Sequence, residues 1–232
     1  MHTLPLNPRL LSFYTAHRRP HHYPGGGTLA VTMRLAGSVT RRVARKILAT
    51  QARYGNHVPP SVYWAASAEE RLAFREYTKG AHDRRALNGP FHLHHREDIR
   101  QLVHDAILEE GRRGGWEVLC FSLMPNHLHL VIRHTHPTRH LGTVLRLWKS
   151  YVAREANKLL GVTGVPFFEH ENYDTVVKTA AALRRHCKYT LYNPVYATLS
   201  KTWEEWPGNY CNAEAIRALL AEAGLPDARS AA

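Results

Sequence analysis

Hydrophobic and polar positions along the chain mark out a series of elements. TLAVTMRLAG (28–37) is apolar and β-branched and stops at Gly37, which predicts a strand. From Ser38 to about Tyr54 the spacing turns helical, with Val39, Val43, Ile47 and Leu48 on one face and Ser38 placed as an N-cap. Residues 57–67, which hold Pro59-Pro60, read as a loop, and 68–85 as a charged helix broken by Asn88-Gly89-Pro90. A helix over about 96–112 has Ile99, Leu102, Val103, Ala106 and Ile107 on one face, and Gly111, Gly114 and Gly115 end it. WEVLCFSLMPNHLHLVIRHT (116–135) is two strand-like runs split by the turn residues Met124-Pro125-Asn126, hence an antiparallel hairpin in mid-sheet. A helix follows over about 138–160, buried through Leu141, Val144, Leu145, Trp148, Val152 and Ala156, then a loop with a short extended piece (161–177). The next helix, about 178–192, is expected to stop before Pro194, because proline disfavours helix at the residue preceding it. Residues 196–211 are irregular and aromatic, and 213–224 form a terminal helix. This order predicts an α+β fold with helices packed on a central antiparallel sheet.

Residues 1–27, with four prolines and Gly25-Gly26-Gly27, read as a flexible basic tail. Residues 28–206 are expected to form the main domain, with 38–90 a possible helical insertion and 207–232 a C-terminal helix and tail. The N-terminal stretch has no signal-peptide core, and no apolar run approaches the roughly 18 residues of a membrane span. Cys120, Cys187 and Cys211 are few, odd in number and not at metal spacing, so a reduced, cytoplasmic chain is expected. Charge changes the picture more. The 232 residues carry 31 Lys+Arg against 19 Asp+Glu, a net +12, which points to a polyanionic partner, nucleic acid before membrane.

Chemistry concentrates in two places. His127 and His129 are i and i+2 on a strand, so both imidazoles face one way, about 6–7 Å apart along it, and can grip one divalent cation. With 17 His in the chain, such a pair also arises by chance on a solvent face. His92-Leu93-His94-His95 illustrates the hazard, because it precedes a helix and reads as a structural or solvated segment. A third alternate His is missing at Val131, HExxH is absent, and the cysteines are too scattered for a deaminase zinc site. The second place is KYTLYNPVYATL (188–199), where Tyr189 and Asn193 share a helix face. A phenol beside a cation and an amide ligand suits nucleophilic attack on a phosphodiester. Tyr189 also suits a core or interface position, and Tyr151 is a rival nucleophile. Arg146, Lys149 and Arg154 make a basic helix face for a DNA backbone or simply a solvated one. Trp203 and Trp206 could stack on bases or fill the core. Glu169 and His170 are weaker metal candidates.

Met124-Pro125-Asn126-His127-Leu128-His129-Leu130 resembles the M-P-N-H-x-H signature of single-tyrosine HUH transposases. Tyr189-Thr190-Leu191-Tyr192-Asn193-Pro194-Val195 resembles the tyrosine-rich run of the REP-associated tyrosine transposase branch. Ala30–Arg34, Leu147–Tyr151 and Tyr173–Val177 are similar to further consensus segments, in the same order from about 28 to 206. The resemblance implies a ferredoxin-like palm and a homodimer located with the nucleoid. It also implies metal-dependent cleavage and rejoining of single-stranded or hairpin DNA through a 5′-phosphotyrosine. Residue by residue it implies Tyr189 as nucleophile and His127, His129 and Asn193 as ligands of Mg²⁺ or Mn²⁺. The chain departs from the family pattern at 38–90, which is long, and at Phe167-Phe168-Glu169-His170. Two other functions remain open from the residues alone: a non-catalytic nucleic-acid-binding module, and a metal-dependent phosphodiesterase that uses water.

Overall fold

The computed structural model describes residues 2–7, 9–10, 13–15, 21–38, 90, 92–170 and 172–224. The chain divides into two compact units, Met1–Arg34 with Phe91–Ala232, and Leu35–Pro90. In the second unit the description covers 35–38 and 90, where Leu35 and Ser38 are buried and Ser38 N–H bonds Leu35 O at 3.1 Å. The helices expected over 38–54 and 68–85 lie outside the described residues.

The first unit is α+β, a central antiparallel sheet flanked by helices in the manner of a ferredoxin-like palm. Its strands are β1 (Phe13–Thr15), β2 (His21–Tyr23), β3 (Thr28–Arg34), β4 (Trp116–Met124), β5 (His127–His134), β6 (Tyr173–Val177) and β7 (Asn209–Cys211). Its helices are α1 (His92–His95), α2 (Glu97–Arg112), α3 (Leu141–Leu159), α4 (Ala180–Tyr196) and α5 (Ala213–Glu222). The main sheet runs β6-β3-β5-β4-β7, all antiparallel, and β1 pairs β2 separately. The central hairpin β4–β5 is buried almost throughout, since both of its faces are covered. That is why its sequence reads as continuous apolar runs rather than a clean alternation.

One face of the sheet, with Val31, Met33, Leu128, Leu130, Ile132 and Trp116, is covered by α2 and α3. Trp116 meets Trp148 of α3 edge to face at 5.9 Å. The other face carries Ala30, Val131, Cys120 and Val177 and packs against Ala180, Leu183, Cys187 and Leu191 of α4 and Leu219 of α5. A register shift between Val118 and Cys120 leaves Leu119 as an extra residue in β4, and both Leu119 and Cys120 join the cluster under α4. The three cysteines, scattered in sequence, meet here. Cys120 stands opposite Cys211 in the ladder, and a hydrogen bond with Cys187, added to burial, pushes the Cys120 thiol well up, away from thiolate chemistry.

Within the stretch read as a tail, Leu4 is buried in the α4 cluster and its N–H bonds Lys178 O at 2.8 Å. The helix expected to stop before Pro194 continues to Tyr196 with Pro194 inside it. Proline fixes a helix-compatible φ and removes one donor, a modest loss within the last turn. Leu199 N–H reaches back to Pro194 O at 2.8 Å and Thr198 N–H to Val195 O at 2.9 Å, which satisfies the end carbonyls in a Schellman arrangement.

Candidate active site

The ladder registers place the functional side chains in two rows at one end of the sheet, on the α4 face. Opposed residues share a face, so Tyr173, Thr32, His129, Ser122 and Asn209 form one row across five strands. Arg34, His127 and Met124 form the next. The imidazoles of His127 and His129 lie 5.0 Å apart, centroid to centroid, and nearly perpendicular at 89°. The phenol ring of Tyr189, carried over them by α4, is 5.4 Å from His129 at 80°. His127 and His129 are 6% and 3% exposed and Asn193 4%, whereas Tyr189 is 38% exposed. The site therefore has a buried nitrogen pair beneath a phenol that solvent can reach.

Hydrogen bonds orient both rings. His127 Nδ1 is 2.8 Å from Asn126 Oδ1, an acceptor, so Nδ1 is the donor, which in the neutral ring puts the lone pair on Nε2. His129 Nδ1 is 3.0 Å from Thr32 Oγ1, which can accept in the same sense. Partners of this type on the far nitrogen are what metal-ligating histidines use to fix ring and tautomer. Among the described residues no group of three His, Cys, Asp or Glu side chains is placed to hold a metal. The side chains that could hold a divalent ion are His127, His129 and Asn193, which offer imidazole nitrogens and an amide oxygen. That donor set fits such an ion. Burial pushes the Tyr189 phenol above its ordinary range, while a hydrogen bond with Asn193 and the charge of Arg34 pull the other way.

The remaining sequence candidates fall elsewhere. Tyr151, 44% exposed, lies on α3 in the opposite layer, its ring 5.5 Å from the Arg154 guanidinium. Arg154 also pairs with Glu155 at 2.9 Å. Lys149 donates to the carbonyls of Glu169 (2.7 Å) and His170 (3.0 Å), so these two residues meet it through their backbone. Arg146 is exposed on α3. His94 stacks on Trp206 at 6.0 Å, and Trp206 is buried with its indole N–H on Leu123 O at 2.9 Å, a packing role. Trp203 is partly buried against the α4 cluster. Sequence reasoning did not single out Thr32, Asn126 or Arg34 as site residues. Asn126 had a signal in standing next to His127, whereas Thr32 and Arg34 become site residues only once the β3–β5 register is known.

No family model matches the chain, and no curated protein matches it. Among solved structures it is similar to one described as a REP-associated tyrosine transposase bound to a REP hairpin. The identity is 17%, over 92% of each chain, with a TM-score of 0.49. At that distance, function rests on the side chains of this chain itself.

Proposed function

We propose that the protein is a metal-dependent single-strand DNA transposase or endonuclease of the HUH type. It would cut and rejoin DNA at palindromic hairpin repeats through a 5′-phosphotyrosine, acting as a homodimer. The observation that carries this reading is the meeting of His127, His129 and Tyr189, with ring separations of 5.0 and 5.4 Å and Asn193 one turn along α4. The net charge of +12 supports a polyanionic partner.

In this reaction the Tyr189 oxygen bonds to phosphorus and the bond from phosphorus to the 3′ oxygen breaks. The phenol proton leaves to water and the 3′ oxygen takes one up, so a 3′-hydroxyl is released while the 5′-phosphate stays on the protein. Attack by another 3′-hydroxyl reverses the step and joins strands, with the bond energy conserved and no nucleotide triphosphate consumed. A cation held by His127, His129 and Asn193 would polarise the phosphate and offset its charge. Asn126 and Thr32 would keep the imidazoles turned for that task, with the proton of each neutral ring on Nδ1 and the lone pair on Nε2. The exposure of Tyr189 lets a strand reach the phenol.

The test is a covalent adduct with 3′-labelled single-stranded DNA that survives denaturation. It is expected with Mn²⁺ or Mg²⁺, absent with chelator, and lost in His127→Ala and His129→Ala variants that still fold. Cleavage without any adduct supports the water-using phosphodiesterase, and binding without cleavage the non-catalytic module.

A further inference from the structure

We propose that Arg34 is a further catalytic residue of this site, its guanidinium holding the non-bridging oxygens of the scissile phosphate against Tyr189. The inference rests on the phosphoryl-transfer reading above and assigns a residue to it.

Arg34 is the last residue of β3 and stands directly opposite His127 in the ladder. Cross-strand partners bring their Cβ atoms within about 4.5–5.5 Å on the same face, so the side chain starts beside the imidazole pair. Two residues earlier on the same face, Thr32 touches His129 at 3.0 Å. The position of Arg34 is anchored from the main chain. Its carbonyl accepts the Glu169 N–H at 2.9 Å, and Lys149 in turn fixes the carbonyls of Glu169 and His170. Arg34 is half-buried, and its charge acts on the Tyr189 phenol.

The chemistry matches the place. The rows at this end of the sheet supply imidazole, hydroxyl, amide, thioether and phenol groups, and Arg34 is their one permanent cation. A guanidinium keeps its charge and offers a planar fork that fits two phosphate oxygens. As the phenol oxygen adds to phosphorus, negative charge gathers on those oxygens, and a donor already in position stabilises it without reorganisation.

The test uses the full chain, a 3′-labelled random single-stranded DNA pool and Mn²⁺, reading covalent adduct on denaturing gels and non-covalent retention on filters. Arg34→Ala is expected to slow adduct formation by roughly 100-fold or more, the usual scale for removing one such donor. Retention should stay within about threefold, since one phosphate contact among several is lost. Arg34→Lys keeps the charge without the fork and should fall between wild type and Arg34→Ala. The proposal is overturned if Arg34→Ala forms adduct at the wild-type rate, or if the loss of adduct is matched by an equal loss of retention. Should Arg34→Ala fail to fold, a wild-type adduct rate in Arg34→Lys overturns it instead. A wild type that forms no adduct brings down the phosphoryl-transfer reading and this proposal with it, whereas normal adduct in both variants brings down this proposal alone.

Discussion

At the scale of single residues, the orientation of the two imidazoles depends on short polar contacts that leave no trace in composition. Thr32 Oγ1 faces His129 Nδ1 at 3.0 Å. Thr32→Val keeps the shape and removes the hydroxyl, so it is expected to weaken metal binding by about 10–100-fold. The check is adduct formation against Mn²⁺ concentration: the half-saturating concentration should rise and the maximal rate largely return at high Mn²⁺. An unchanged titration would remove Thr32 from the site. A second histidine, His134, is buried with Nε2–H on Arg139 O at 2.8 Å. Burial holds its pKa below the ordinary value of 6.5, helped by His136 and His140 and opposed by that carbonyl bond. In the fold it stays neutral, while in the unfolded chain it takes up a proton as pH falls through about 6.5. Its contribution is therefore complete above that value and lost as pH falls toward the lowered folded pKa. Chemical denaturation at pH 7 and pH 5 should show a smaller pH effect in His134→Gln than in wild type, and equal pH effects would exclude His134 as the cause.

Among the elements, α4 matters most, because it carries Tyr189 and Asn193 and ends in an unusual way. Its Schellman end puts Thr198 at φ 55°, a left-handed conformation that costs a β-branched residue roughly 1–2 kcal/mol. Thr198→Gly should relieve that cost and raise stability by about 1 kcal/mol, read as a shift in denaturation midpoint. No shift would mean that the threonine side chain compensates. The same helix end shows where sequence reading stops. Local rules found the hairpin, α2, α3 and α5 to within a few residues, because apolar spacing and the Pro-Asn turn are written locally. They ended α4 too early, since the rule for the residue before proline gives way when the end carbonyls are bonded by Thr198 and Leu199. Within the stretch read as a tail, nothing local marks Leu4 as a core residue. Of the proposed site, the shared faces of His127 with His129 and of Tyr189 with Asn193 were legible from spacing of two and four, and their proposed roles only from the resemblance. Thr32 and Arg34 were not legible, because only the pairing of β3 with β5 brings them there.

For the whole molecule, the net charge of +12 supports the proposed polyanionic partner and gives the salt response to expect of it, though not with every cation taking part. Arg146 is exposed on α3, whereas Lys149 already serves two backbone carbonyls. Arg146→Ala is expected to weaken retention of single-stranded DNA whatever its sequence and to reduce the slope of log K against log salt by about 0.7, one phosphate's worth. Filter binding between low and moderate salt checks this, and an unchanged slope would place Arg146 off the DNA. No helix among the described residues is long and apolar enough to cross a membrane. The most direct measurement is peptide mapping of the covalent adduct formed with single-stranded DNA and Mn²⁺, alongside Tyr189→Phe and Tyr151→Phe. The account predicts a nucleotide on Tyr189, no adduct in Tyr189→Phe, and adduct retained in Tyr151→Phe. DNA cleavage at the wild-type rate in Tyr189→Phe, with no adduct on α4 in the wild type, would contradict it.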